Sequence, residues 1–473
     1  MSQPHPMEPA APNPLITPAS KPTSNTMLHT ALPRIHRRHA LQTLLGAATA
    51  WAAPMAWAQS ARTGTGPGQS DGRLVVVFLR GAYDGLSALV PHGDANYYAL
   101  RPSIALPRPD GTAQTALLLD DTFGLHPSLA PLMPLWKQGV LTALPAAGSP
   151  DPTRSHFEAQ HHWEIGTPGK SSNAAGWMNT LASFKAAAPD NTAQAATKSI
   201  AIGVGEANPQ ILSGSAPVQL VAKGQAATRQ GAVGDERTRD AVMRLYSGQD
   251  ELSKAFRAGA DSRMQTAKTL SDAMADPTMG NAMGKDSGKD MSREMQAANN
   301  GAGTAQGLLL DAQHLGTLMR QDRRLRLGFL SAGGWDTHAN QGSVTGALAN
   351  NLGNLAATLA QLRRDFSQAN DVVVVCSEFG RTSAENGTRG TDHGHGNTMW
   401  IMGNRVNGGR VHGGWTGLAQ GNLHESRDLP VHNDFRGVFA QVLRSTQALA
   451  NADIDRLFPG FTWDASLDGM LRT

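Results

Sequence analysis

Short apolar runs recur along the chain and are separated by longer polar or amphipathic stretches. Each run is four to eight residues long, is rich in β-branched residues and ends near glycine or polar residues, which predicts buried β-strands. The predicted strands are Leu74–Leu79, Val140–Leu144, Ser199–Val204, Val218–Ala222, Leu325–Leu330, Val372–Cys376 and Thr398–Met402.

The stretches between these runs show helical periodicity. The clearest has apolar residues at three- and four-residue spacing, namely Val344, Leu348, Leu352, Leu355, Leu359, Leu362 and Phe366. Because a strand precedes this helix and another follows it, the order predicts a right-handed βαβ unit in a parallel sheet. We therefore expect an α/β fold with a doubly wound, mostly parallel sheet and helices on both faces.

The composition divides the chain into segments. Residues 1–58 form a first segment, of which residues 1–33 are Pro-, Ser- and Thr-rich and are expected to be disordered. Residues 59–73 form a linker, and residues 74–473 carry the α/β pattern. Within the last segment, residues 224–303 are rich in Ala, Met, Asp, Ser and Lys. We interpret residues 224–303 as a peripheral, partly helical insertion of low complexity.

The N-terminal segment has the features of an export signal. Arg37-Arg38 precede the apolar stretch Leu41–Ala53, and Ala56-Trp57-Ala58 provides small residues for cleavage after Ala58. This pattern resembles a twin-arginine signal, so the expected partner is the twin-arginine export machinery and the expected location is periplasmic or secreted. An N-terminal membrane anchor is the alternative, but the apolar run is short for a bilayer, so no stable anchor is expected.

Charge argues against nucleic-acid binding, and cysteine content argues against a disulfide or a cysteine-based zinc cluster. The chain of 473 residues has 41 basic and 38 acidic side chains, of which four basic and one acidic fall within residues 1–58. The remainder is thus balanced in charge and has no long basic stripe, which disfavours nucleic-acid binding. Cys376 is the single cysteine, so neither an intramolecular disulfide nor a cysteine-based zinc cluster is expected.

Three acidic residues follow predicted strands within a few positions: Asp84, Asp336 and Glu378. Ligands of doubly wound sheets bind at the carboxyl ends of parallel strands, so these acids are expected at one edge. His338, His393 and His395 add imidazoles. A mixed set of Asp, Glu and His ligands suits one or two divalent metal ions, either zinc or manganese. The alternative is a set of polar loops whose acids cap helices.

Ser155 stands where a helix is expected to begin, and Glu158 follows three residues later. This spacing is a capping box, which is a purely structural role. The same position suits a nucleophile, because a helix N-terminus stabilises an alkoxide or a bound phosphate. Both roles for Ser155 remain open at this point.

Several motifs together resemble one family of exported bacterial proteins. They are LRGAYDGLSALVP, GLHPSLAPL, RSHFEAQHHWE, GGWDTHANQ, CSEFGRT and TDHGHGNTMWIMG. With the export signal they resemble the family called domain of unknown function 1501, which is similar to the alkaline phosphatase superfamily and its sulfatases. The resemblance implies an alkaline-phosphatase-like domain over residues 74–473.

The resemblance also implies roles for individual residues. Asp84 would bridge to one metal and Ser155 would be the nucleophile. Asp336 and His338 would ligate the other metal, with Glu378 and the late histidine His393 completing the set. His395 is a further metal candidate. Two departures are present, because Asp336-x-His338 is shorter than the usual Asp-x-x-x-His and Phe379 follows Glu378 where a histidine is common.

The expected activity is metal-dependent hydrolysis of small phosphate or sulfate esters by a serine nucleophile. Arg381 or Arg154 would hold the non-reacting oxygens. The alternative is a catalytically degenerate relative that serves as a periplasmic binding or assembly component, which the altered ligand spacing favours.

Overall fold

The computed structural model describes residues 72–172, 174–186, 199–274 and 298–472. These residues belong to one unit, Gly64–Thr473. The predicted export signal and its cleavage site after Ala58 lie outside the described residues. No helix in the described ranges is both long and apolar enough to cross a membrane.

The predicted strands are present. In chain order the strands are β1 (Leu74–Leu79), β2 (Leu89–Val90), β3 (Leu117–Leu118), β4 (Gly124–Leu125), β5 (Leu141–Gly148), β6 (Ala201–Gly205), β7 (Val218–Ala222), β8 (Gly303–Thr304), β9 (Leu327–Gly333), β10 (Val372–Cys376), β11 (Asn397–Gly403) and β12 (Asn433–Asp434). Three short strands, β2, β3 and β4, form a small separate sheet, and the other nine form the central sheet.

The central sheet has the order β12-β5-β11-β10-β1-β9-β6-β7, with β8 paired beside β9. Its pairings are parallel except those of β11 with β10 and with β5. The predicted α/β class with a mostly parallel sheet is therefore confirmed. The predicted strand–helix–strand unit runs from β9 to β10, but β1 lies between these two strands.

Helices connect the strands. They are α1 (Gly85–Ala88), α2 (Ala95–Leu100), α3 (Met133–Lys137), α4 (His156–Glu164), α5 (Trp177–Ala186), α6 (Glu236–Leu245), α7 (Glu251–Met274), α8 (Leu308–Gln321), α9 (Ala347–Asp365), α10 (Phe435–Gln447) and α11 (Asn451–Leu457). The helix predicted from the leucine periodicity is α9. The described part of residues 224–303 contains α6 and α7, and α6 has no buried residue.

Alternation along β1 explains how helices cover both faces of the sheet. Successive side chains of a strand point to opposite faces, and all six residues of β1 are buried. Val75, Val77 and Leu79 share one hydrophobic cluster with residues of α8 and α9. Leu74, Val76 and Phe78 share another with residues of α4, α5 and α10. The double-sided core fixes the strand ends, from which the loops of the candidate site emerge.

Candidate metal centre

Three imidazole rings and one carboxylate converge beside the carboxyl ends of β9 and β10. His156 is the first residue of α4, Asp336 and His338 follow β9, and His393 precedes β11. The Nε2 atom of His393 lies 2.9 Å from that of His156 and 3.1 Å from that of His338. The Asp336 carboxylate lies 2.9 Å from His338 Nε2, 3.4 Å from His393 Nε2 and 3.5 Å from His156 Nε2.

The other ring nitrogen of each histidine faces an oxygen acceptor. The Nδ1 partners are Glu378 Oε1 for His156 at 2.7 Å, Asp392 Oδ1 for His338 at 3.0 Å and the Arg154 carbonyl for His393 at 2.9 Å. Because a carboxylate or carbonyl oxygen accepts hydrogen bonds, Nδ1 is the donor in each ring, and in the neutral form of each ring Nε2 presents its lone pair. Three lone pairs thus point at one place, which is the arrangement that metal-ligating histidines adopt.

The distances between the converging nitrogen and oxygen atoms are compatible with coordination of one metal ion. Tetrahedral bonds of about 2.0–2.1 Å from zinc to nitrogen place two ligand atoms roughly 3.3–3.4 Å apart. The contacts of His393 with the other two rings, and of the Asp336 carboxylate with all three rings, range from 2.9 to 3.5 Å; His338 and His393 face Asp336 Oδ1, whereas His156 faces Oδ2. One donor atom each from His156, Asp336 and His393 lies within 4.8 Å of the others. His338 provides a fourth donor through its contacts with Asp336 and His393.

Asp336 is held in place by Arg381. The guanidinium of Arg381, which is fully buried, donates to the carboxylate of Asp336 and to the carbonyl oxygens of Ala82 and Thr391. Burial alone would raise the pKa of the Asp336 carboxyl. Hydrogen bonds from His156 and His393 and the charge of Arg381 outweigh burial and hold this pKa far below its usual value. Arg381 therefore orients the Asp336 carboxylate, and its predicted contact with substrate oxygens stays a prediction.

Glu378 lies behind His156. Its Oε1 accepts from the His156 ring, from the Gly81 amide at 2.8 Å and from Gln160 at 3.0 Å, and the residue is fully buried. Gly81 has φ of 108°, a conformation that glycine adopts without strain. Burial favours the neutral acid, but the hydrogen bond and charge of His156 lower the pKa of Glu378 to about 2. The Glu378 carboxylate is thus ionised and orients His156.

The carboxylates beside His156 also change the pKa of its imidazole. Burial lowers the pKa of His156, but hydrogen bonds with Asp336 and Glu378 outweigh it and raise the pKa to about 9. A metal ion that bound to His156 at neutral pH would therefore displace a proton from this ring.

Glu378→Gln keeps the shape of the side chain and removes its charge. We expect the affinity for a divalent ion to fall about 10- to 100-fold, because outer ligands that orient a histidine have effects of this size. Titration calorimetry with zinc and with manganese measures the change. Glu385→Gln is the matched control, since Glu385 bonds to the Ser103 and Ile104 amides and contacts no member of the histidine group. Equal affinities in both variants would contradict this role of Glu378.

Asp84 has a different set of partners. Both carboxylate oxygens accept from Arg101, at 2.6 and 3.1 Å, and one also accepts from Ser87 at 2.8 Å and Gln341 at 2.6 Å. Asp84 and Arg101 are both buried. The structure pairs Asp84 with this arginine and does not bring it into the histidine group.

His395 is likewise outside the histidine group. Its ring lies 4.3 Å from that of His424, and burial lowers its pKa to about 4. The Nδ1 atom of His395 has no hydrogen-bond partner among the described residues. His393 and His395 therefore contact different groups of residues, although they are only two positions apart in the sequence.

Ser155 is the N-cap of α4. Its Oγ accepts from the Glu158 amide at 3.4 Å, while the Glu158 carboxylate accepts from Thr153. The side chain of Ser155 is exposed, and the next residue is the ligand candidate His156. The capping contact is thus present, and it leaves the Ser155 hydroxyl accessible.

Sequence reasoning missed His156. The sequence predicts a helix that begins at Ser155 and assigns a functional role only to this serine. It does not distinguish the three histidines of the segment Ser155–Glu164. A histidine at the first position of that helix, one residue after an exposed loop, was the available indication. The Asp392 side chain and the Arg154 carbonyl were also missed as partners of His338 and His393.

No curated protein matches the chain. The family model described as "Protein of unknown function (DUF1501)" matches residues 71–458, a range that includes every residue of the histidine group. The chain therefore belongs to the DUF1501 family.

Proposed function

We propose that the protein is an exported, metal-dependent hydrolase of phosphate or sulfate esters. His156, Asp336, His338 and His393 would hold one divalent ion, zinc or manganese. The observation that carries this proposal is the convergence of three Nε2 lone pairs on the Asp336 carboxylate, with every Nδ1 atom held by an oxygen. Nitrogen and oxygen donors in this ratio suit zinc and manganese.

The ion would supply Lewis-acid stabilisation of the negative charge that develops on the ester oxygens. The protein's own residues position this chemistry. Glu378 holds the His156 ring, Asp392 holds His338, and Arg381 holds the Asp336 carboxylate. Because these partners are fixed, the ligand set is preorganised and little reorganisation is needed on binding.

Ser155 is the proposed nucleophile. Its hydroxyl is exposed beside the ligand His156, and the N-terminus of α4 favours negative charge on its oxygen. In the proposed reaction, Ser155 Oγ bonds to phosphorus or sulfur, the bond to the ester oxygen breaks, and the departing alcohol takes up the serine proton. Water then attacks the same atom, the bond to Ser155 Oγ breaks, and Ser155 regains a proton as the acid is released. The substrate class is a small phosphate or sulfate ester.

We further propose an alkaline-phosphatase-like, doubly wound fold for this domain. A mostly parallel sheet with helices packed on both faces supports the proposal, as does the position of the ligand loops after β9 and β10. The Arg37-Arg38 pattern supports export by the twin-arginine machinery to the periplasm or beyond.

A second candidate function is that of a catalytically degenerate binding or assembly component. The pairing of Asp84 with Arg101 favours it, because an acid expected to bridge to a second ion is already neutralised. The same pairing supports one ion in preference to two.

Two variants at one position test the nucleophile. Ser155→Ala and Ser155→Asn both remove the hydroxyl, but asparagine is as good an N-cap as serine whereas alanine costs about 1 kcal/mol. We expect both variants to lose ester turnover by roughly 10³-fold or more while they retain metal. The Ser155→Asn variant should also keep the wild-type melting temperature, which separates loss of chemistry from loss of the cap.

The measurement is turnover of a panel of phosphate and sulfate monoesters by metal-loaded protein. Full turnover in Ser155→Asn would remove Ser155 from the mechanism and leave the metal proposal intact. A metal-loaded wild type that hydrolyses no ester in the panel would favour the binding component.

A further inference from the structure

A second constellation lies at the other end of α4. His162 Nδ1 is 2.5 Å from Asp151 Oδ2, and His162 Nε2 is 3.1 Å from the Oγ of Ser171. His162 is buried, whereas Ser171 is exposed. An acid, a histidine and a serine joined in this order have the connectivity of a nucleophilic triad.

The acid of this constellation is held firmly. Asp151 Oδ2 also accepts from the Gly169 amide at 3.2 Å, Oδ1 accepts from the Thr153 amide at 3.1 Å, and the Asp151 amide donates to Ser149 Oγ. Because the carboxylate is an acceptor, His162 donates from Nδ1 and presents the Nε2 lone pair to the Ser171 hydroxyl. This is the tautomer in which an imidazole acts as a general base towards serine.

We propose that Asp151, His162 and Ser171 form a second, metal-independent catalytic site that transfers acyl groups from small carboxylic esters. This goes beyond the proposed metal chemistry. His156 and His162 are six positions apart on α4, a rotation of about 240°, so the two sites use different faces of one helix.

Space for a small ligand lies one residue from Ser171, in a cavity whose lining includes none of Asp151, His162 and Ser171. A cavity of about 360 Å³ adjoins the loop and is lined by the next residue, Ser172, together with His161, Gln210, Ser213 and Gly214. This volume is at the small end of the range for ligand sites, which favours a short acyl chain. Within the described part of the chain, no residue accepts a hydrogen bond from the amides of Ser171 or Ser172. In the proposed reaction these two amides would donate to the oxyanion.

The reaction balances without a cofactor. Ser171 Oγ bonds to the carbonyl carbon while its proton passes to His162 Nε2, and the tetrahedral oxygen carries the negative charge. The carbon–oxygen bond to the alcohol breaks, and the alcohol takes the proton from His162. Water then repeats the sequence, with His162 accepting its proton, and releases the acid from Ser171.

The test uses the full chain and a fluorophosphonate probe, which forms a serine–phosphorus bond with loss of fluoride. We expect the wild type to be labelled at Ser171, by peptide mass mapping, and to hydrolyse p-nitrophenyl acetate. Ser171→Ala should lose labelling and lower acetate turnover on the order of 10³-fold or more. Asp151→Asn should lower turnover on the order of 10⁴-fold, because it reverses the tautomer of the histidine.

Ser183→Ala is the matched control, since its hydroxyl donates to the Thr180 carbonyl and has no part in either site. Treatment with a metal chelator should leave both labelling and acetate hydrolysis unchanged, which separates this site from the metal centre. No label on the wild type, a label at another serine without one at Ser171, or unchanged acetate turnover in Ser171→Ala would each overturn the proposal.

Discussion

Replacing His393 by alanine is expected to weaken divalent-metal binding by roughly 10²–10³-fold. Apparent binding energies of about 10–16 kcal/mol for four-ligand zinc sites correspond to about 2.5–4 kcal/mol per ligand if they are shared evenly. His393 contacts all three other ligand candidates, at 2.9 to 3.4 Å. Its replacement therefore removes the donor atom that lies between the other three. Chelator competition at constant pH measures the change, because protons compete with metal for histidine.

Two comparisons make this experiment specific. His432→Ala removes an exposed imidazole whose Nε2 is hydrogen-bonded to Thr416, and its metal affinity should equal that of the wild type. His395→Ala tests the sequence-based prediction that His395 is a ligand. From its separate contacts with His424, we expect His395→Ala to bind metal as well as the wild type. An affinity of His393→Ala within threefold of the wild type would contradict the proposed ligand set.

Replacing Asp84 by alanine is expected to lower the free energy of unfolding by about 3–5 kcal/mol, because it leaves a buried charge without its partner. The side chains of Asp84 and Arg101 are 1% and 0% exposed. Burial would raise the pKa of Asp84, but the charge and hydrogen bonds of Arg101 outweigh it and lower the pKa. This pair therefore stabilises the fold above the unfolded-state pKa of about 3.9, and the contribution is lost as pH falls through the lower folded-state value.

Urea denaturation of Asp84→Ala and of the double variant Asp84→Leu, Arg101→Met measures the effect. We expect the double variant to recover most of the lost stability, since an apolar pair often replaces a buried ion pair at little cost. Zinc content provides a second readout. A folded Asp84→Asn protein that has lost its metal would show that Asp84 is a ligand after all, contrary to its pairing with Arg101.

The strands were predictable because each buried run is short, apolar and bounded by turns. For β1, β7 and β10 the predicted and observed bounds agree. The order of the strands was not predictable in the same way. That β1 lies between β9 and β10 depends on contacts between residues about 250 to 300 positions apart, which no local pattern records.

The candidate site was predicted in part. Asp336, His338 and His393 were expected to be close, because each follows or precedes a strand at the same edge of the sheet. The partner of Asp84 was not foreseen, since Arg101 lies in an unremarkable stretch and only the folded chain shows their contact. Glu378 was foreseen as a ligand, whereas its actual contact is with the back of the His156 ring. Which atom of a loop side chain faces inward depends on rotamers, and sequence spacing does not determine rotamers.

The central claim is that His156, Asp336, His338 and His393 bind one divalent ion. Elemental analysis of the full chain, purified without chelators and again after loading with zinc or manganese, tests it most directly. We expect one equivalent of metal per chain, and less than a tenth of an equivalent in a His156→Ala, His393→Ala double variant that remains folded. A wild-type protein that binds no metal after loading would contradict it, as would a double variant that retains a full equivalent.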